Sequence, residues 1–265
     1  MAHRAIRAAT VAVLFVAAGF AVPLRAVAVE DTVARVKRSV VAVGTFERTR
    51  SPPFQFRGTG FVVGDGRQVV TNAHVLPATL DKDNRETIAI LLPAPPKAGT
   101  DEPQVQLRAA RQVAADAAHD LAVVAIEGAP LPALAVGESS RVREGNTLFF
   151  TGFPIGAVLG PFPATHRALV ASITPIAIPQ ANSARLDAKT IKRIAAGPLS
   201  VLQLDATAYP GNSGSPLYDP ESGEVLGVIN MVLVKATKES ALTQPSGISY
   251  AIPAEHLRTL LATIR

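Results

Sequence analysis

The stretch Tyr209-Pro210-Gly211-Asn212-Ser213-Gly214-Ser215-Pro216 decides how the rest of the chain reads. One serine stands among small residues, just behind Pro-Gly and shortly ahead of another proline. Proline fixes φ and glycine permits φ > 0, so the backbone here turns tightly and projects a single hydroxyl. Such a turn also aims neighbouring N–H groups at one point, which is what an oxyanion hole requires. Taken alone, the stretch also reads as an ordinary loop between two strands. The residues upstream separate the two readings.

A serine hydroxyl is a poor nucleophile near neutral pH; it needs a base, and the base needs a third group to fix its tautomer. Thr71-Asn72-Ala73-His74-Val75 follows a hairpin of two strands, Phe56–Val63 and Arg67–Thr71, joined by Gly64-Asp65-Gly66. That places His74 at an exposed mouth. Asp120 opens the apolar run Leu121–Ile126. A carboxylate at the edge of a buried strand is costly unless paired, and the His74 ring N–H is a fitting partner. Asp116 is the rival carboxylate, but Asp120 directly adjoins the strand. Of the other histidines, His119 reads as a barrel-surface residue, His166 as a residue of the cleft lining and His256 as structural.

Composition bounds the remaining possibilities. The 265 residues suffice for one large or two small domains, and 48% hydrophobic content argues against long disordered stretches. With no cysteine there is no disulfide scaffold, cysteine nucleophile or thiolate metal site. With 5 histidines and no HExxH pattern, no metal and no cofactor are expected. His3, Arg4 and Arg7, the apolar run Ala8–Val22 and Ala26-Val27-Ala28 form the layout of a secretory signal peptide over residues 1–28. An uncleaved anchor is the alternative, although the run is short of the about 20 residues of a membrane-spanning helix. Removal takes away Arg4, Arg7 and Arg25, which lowers the formal charge from +5 to +2. The expected product is periplasmic or secreted, with no stable membrane insertion after cleavage and no nucleic-acid partner.

The rest of the chain is punctuated into short strands. Beyond the hairpin these are Ser39–Phe46, Thr87–Leu92, Val105–Ala114, Thr147–Gly152, Ala168–Ile173, Leu199–Leu204, Gly223–Val234 and Gly247–Ile252. Many short strands between turns indicate an all-β barrel or sandwich. Gly128–Pro132 reads as a connector between halves. The segment 33–40 has the spacing of a short helix, and Pro253 opens a terminal one over 254–264. Ser183–Ala196 reads either as a short surface helix or as a solvated basic loop.

Three segments, Thr71–Val75, His119-Asp120-Leu121-Ala122-Val123-Val124 and Gly211-Asn212-Ser213-Gly214, resemble the triad segments of trypsin-fold serine proteases. Their order, His…Asp…Ser, is that of chymotrypsin rather than of subtilisin or the α/β-hydrolases. The hydrolase elbow GxSxG is absent, because Ser215 occupies its second glycine. The wording is most similar to the bacterial Deg/HtrA branch, as are Gly152-Phe153-Pro154 and Gly247-Ile248-Ser249-Tyr250-Ala251-Ile252-Pro253. The likeness covers roughly residues 33–260. It implies an all-β domain over 29–265 made of two six-stranded antiparallel β-barrels with a C-terminal helix. The N-terminal barrel falls at about 33–130, the C-terminal one at about 145–253, and the active site in the cleft between them.

Carried over, the resemblance makes Ser213 the nucleophile, His74 the general base and Asp120 its orienter. Gly211, Asn212 and Ser213 make the oxyanion segment, with the N–H groups of Gly211 and Ser213 as donors. Thr207, with Asn230 and Met231, marks the specificity pocket; threonine supplies no carboxylate for Arg or Lys, so small or aliphatic residues are expected before the cut. The resemblance thus implies a serine endopeptidase acting on proteins or peptides. A binding protein on a weakly catalytic protease scaffold and an esterase are the alternatives. Oligomeric state is not legible. Three departures stand out. Ser215 replaces a usual glycine, residues 178–199 match poorly, and no PDZ domain follows within this sequence. Asn212 stands where trypsin-type zymogens carry an aspartate that pairs with a freed amino terminus, so that switch is not expected here.

Overall fold

Valine-rich runs in this chain are buried on both faces, and the architecture shows why. The computed structural model describes residues 28–94, 104–156, 162–176, 199–230 and 247–264. The expectations for residues 1–27, for Ser183–Ala196 and for Met231 lie outside them.

The first six strands are β1 (Val40–Phe46), β2 (Phe54–Val63), β3 (Gln68–Asn72), β4 (Thr87–Ala94), β5 (Gln104–Asp116) and β6 (Leu121–Ile126). They close in the order β1-β2-β3-β6-β5-β4, every pair antiparallel. The second six are β7 (Thr147–Gly152), β8 (Ala164–Ile176), β9 (Leu199–Asp205), β10 (Pro216–Tyr218), β11 (Val225–Asn230) and β12 (Ile248–Pro253). They close as β10-β11-β12-β9-β8-β7. The expected pair of six-stranded antiparallel barrels is therefore the fold. Strand β10 is not among those expected from the sequence. It is only three residues long and opens on a proline, which signals a break rather than a strand.

Side chains alternate across a strand, so each wall strand feeds two cores. In β1, Val41 and Val43 enter the interior of the first barrel with Val62, Val69, Ile90 and Val124. Val40 and Ala42 point the other way, into a cluster shared with Tyr218, Val225 and Val228 of the second barrel. In β6, Ala122 and Val124 take the first face, Leu121 and Val123 the second. The second barrel fills its own interior with Leu148, Phe150, Val170, Leu202, Leu204, Leu217 and Ile229.

Two helices clasp the barrels crosswise. Helix α1 (Val29–Lys37) begins four residues ahead of the expected segment. Glu30 and Asp31 lie in its first turn, Arg35 and Lys37 in its last, as the helix dipole favours. It leads into the first barrel, yet Thr32 Oγ1 donates to the Glu221 carbonyl (3.1 Å) and Arg35 to that of Ser222 (2.6 Å), both on the second. Helix α2 (Ala254–Leu261) leaves the second barrel and packs toward the first, placing Leu257 and Leu260 in the shared cluster. No helix among the described residues is long and apolar enough to cross a membrane.

Candidate active site

The site forms where β3 and β11 end and β6 begins, against the loop between β9 and β10. After β3 the chain makes one 3-10 turn, Ala73–Val75, which carries His74. Arg57 Nε donates to the Val75 carbonyl (2.7 Å) and so holds the far end of this turn to β2. Asp120 stands one residue ahead of β6 with φ +53°. Its carbonyl accepts the Ala73 N–H and the Asn72 side-chain amide, each at 3.0 Å.

The Asp120 carboxylate grips His74 twice. Oδ1 accepts the His74 backbone N–H at 2.9 Å, and Oδ2 lies 2.5 Å from the ring Nδ1. A ring held in this way carries its proton on Nδ1 and leaves Nε2 as the basic nitrogen. Oδ2 has a second donor that sequence reasoning did not foresee: Asn230 Nδ2, at 2.7 Å. The resemblance assigns Asn230 to the specificity pocket, but its buried side chain is directed at Asp120. Only the end of β11 meeting β3 brings the two together, and nothing in the local sequence announces that.

Ser213 is nearly buried, and its loop is bonded from three sides. Ser213 offers its carbonyl to the Thr59 N–H (2.9 Å), and Gly214 donates to the Ile229 carbonyl (2.9 Å). Gly211 gives its carbonyl to Thr59 Oγ1 (2.7 Å), which also accepts the Phe153 N–H (3.0 Å). Gly58 and Gly214 are among the positions where close approach requires glycine. A β-carbon on Gly58 would fall 2.7 Å from Val75 Cγ2 and 3.0 Å from the Ser213 carbonyl oxygen. One on Gly214, at φ +88°, would fall 2.0 Å from the Thr59 carbonyl oxygen. The missing side chain of Gly58 is what lets the histidine turn and the serine loop approach the same strand.

The Ile155 N–H donates to the Pro210 carbonyl at 2.7 Å. With the Gly211 carbonyl held by Thr59, both peptide oxygens flanking Gly211 are engaged. Neither the Gly211 nor the Ser213 N–H donates to an acceptor among the described residues. Ser213 Oγ makes no hydrogen bond to His74 among them either. Asn212 is fully buried, and its side-chain amide has no partner among the described residues; the same holds for the Ser215 hydroxyl. The Ser215 hydroxyl fills the space a side chain on Gly152 would need, 1.9 Å from where its β-carbon would sit.

Thr207 is half-buried, in a segment pinned by Ser249, which donates to the Ala206 carbonyl (2.6 Å) and accepts the Ala208 N–H (3.0 Å). Asp205 is exposed. His166 lies on β8, stacked on Phe150 with centroids 4.8 Å apart, and burial lowers its pKa. His119 and His256 are not isolated: their rings stack on each other at 3.9 Å, and Asp116 Oδ2 lies 2.5 Å from His119 Nδ1. The described residues include no group of three or more side chains fit to hold a metal ion.

The family model of the trypsin-like peptidase domain matches residues 58–228. A DegP-like probable periplasmic serine endoprotease of Hahella chejuensis is 29% identical over 214 residues, covering 78% of this chain and 35% of that protein. The mitochondrial serine protease HTRA2 of Bos taurus is 31% identical over 233 residues, covering 85% and 41%. The chain thus spans well under half the length of these relatives. Among solved structures, an HtrA-type protease, an AlgW variant with a tripeptide, superposes with a TM-score of 0.61 at 22% identity, covering 89% of this chain and 63% of that one. Double barrel, matched segment and relatives agree: the chain belongs to the trypsin-like peptidase domain family, with HtrA/DegP-type proteins among its homologues.

Proposed function

We propose that the protein is a serine endopeptidase that cleaves peptide bonds with Ser213 as nucleophile, His74 as base and Asp120 as orienter. The observation that carries this reading is the two-point hold of the Asp120 carboxylate on His74. In the first step Ser213 Oγ attacks the scissile carbonyl while its proton passes to His74 Nε2. Charge gathering on the carbonyl oxygen is met by the Gly211 and Ser213 N–H groups. The C–N bond then breaks, the His74 proton goes to the leaving amine, and an ester to Ser213 remains. Water, deprotonated by His74, hydrolyses that ester and returns the serine. No metal or cofactor enters these steps. Contacts between nucleophile and base are often long until substrate binds, so the open Ser213–His74 contact is compatible with this course.

Preference for small or aliphatic residues before the cut belongs to the same proposal. It rests on the neutral Thr207 and on Asp205 being exposed. Export to the periplasm or beyond rests on the layout of residues 1–28 and on the name of the DegP-like relative. A fluorophosphonate probe tests the reaction: the wild type is expected to label and Ser213→Ala not to. An unlabelled wild type would favour the scaffold reading. Cleavage-site mapping on an unfolded protein tests the preference, and mainly Arg and Lys sites would contradict it.

A further inference from the structure

The proposed reaction uses Asp120 but does not account for how that residue is held. Its φ of +53° is left-handed, a region L-residues enter rarely, although aspartate is among those that tolerate it. Asp120 follows a turn built around a second carboxylate. Asp116 Oδ1 accepts the N–H groups of Ala118 (2.9 Å) and His119 (3.2 Å), while Oδ2 lies 2.5 Å from His119 Nδ1. Both the backbone and the side chain of the residue just before Asp120 are therefore bound to Asp116. From the other side the His119 ring lies on His256 of α2, with centroids 3.9 Å apart and planes 16° from parallel. That helix is anchored in turn, since Ser139 Oγ donates to Glu255 Oε2 at 2.8 Å and accepts the Glu255 N–H at 3.1 Å. Burial raises the Asp116 pKa, but the hydrogen bonds from His119 and Ala118, together with the charge of His119, outweigh it and keep the carboxyl below its ordinary value.

We propose that Asp116 is a positioning residue for the triad: it closes the 116–119 turn, seats His119 against His256 and thereby sets the left-handed Asp120 that aims His74. The inference rests on the endopeptidase reading for its consequence in turnover, but not for its structural content. A residue that merely stabilised the fold would alter melting without altering the His74–Asp120 bond.

The Nδ1 proton of His74, observed by NMR, reports that bond whether or not substrate turns over. The comparison is between wild type, Asp116→Ala and Asp116→Asn, with folding checked by circular dichroism. In Asp116→Ala the downfield proton is expected to vanish or shift upfield. Its kcat should fall about 10²-fold, the scale of a small misplacement, with KM held within about twofold. Asp116→Asn keeps an oxygen for the Ala118 and His119 N–H groups but puts an amide NH2 where Oδ2 met the His119 ring, so it should shift the proton and slow the rate less than Asp116→Ala does. A folded Asp116→Ala with the wild-type proton and rate would overturn the proposal, as would a wild type without the proton. If Asp116→Ala does not fold, His119→Phe takes its place. It keeps the stacked ring but loses the Nδ1 contact, and an unshifted His74 proton there would overturn the proposal. A wild type that shows the proton but takes no fluorophosphonate would defeat the endopeptidase reading alone, leaving the NMR comparison to decide this one.

Discussion

At the scale of single residues, Asp120 is the most heavily engaged group of the site. Its two side-chain oxygens take three bonds, from the His74 backbone, the His74 ring and Asn230, and its carbonyl takes two more. Asp120→Asn would preserve its shape while favouring the wrong imidazole tautomer. Turnover is expected to fall by a factor on the order of 10⁴ with the fold intact; a loss of tenfold or less by the same assay would count against Asp120 as orienter. Asn230→Ala removes one of the two donors to Oδ2, and kcat is expected to drop about tenfold, the equivalent of one modest hydrogen bond. An unchanged kcat would mean that the His74 bonds alone hold the carboxylate. Gly214→Ala is a prediction about stability: a β-carbon at φ +88° and 2.0 Å from a carbonyl oxygen should cost more than about 2 kcal/mol, read from urea melts.

Among the elements, the informative contrast is between what lies within a segment and what crosses between segments. The hairpin of β2 and β3, the apolar run of β6 and the terminal helix were legible because periodicity and turn residues are local signals. The pairing of His74 with Asp120 was legible because each sits inside a motif. The partnership of Asn230 with Asp120, and that of His119 with His256, were not, since each joins residues far apart in the chain. His256 supplies a prediction at this scale. Burial, and secondarily the charge of His119, lower its pKa, while Glu255 and Asp116 pull it back up. The folded protein therefore takes up the His256 proton less readily than the unfolded chain. The stabilisation is complete above the ordinary histidine value of about 6.5 and is lost as the pH falls below it. Thermal melts from pH 8 down to pH 5 should show wild type losing stability relative to His256→Phe; parallel curves would contradict the assignment.

For the molecule as a whole, the two barrels share one hydrophobic cluster and exchange their terminal helices. Asn212 is buried and neutral where a zymogen-type switch needs a carboxylate. An ammonium group brought against it would lose its hydration without gaining a counter-charge. Protein beginning at Val29 is therefore expected to be as active with a short N-terminal extension as without one, and activity confined to the unextended form would contradict this. The central claim, that Ser213 is an activated nucleophile, is tested most directly by the rate of fluorophosphonate labelling of purified protein, with Ser213→Ala as control. The account predicts covalent modification of wild type at Ser213, found on the peptide spanning Tyr209–Pro216, and none of Ser213→Ala. Equal labelling of both proteins, or of neither, would contradict it.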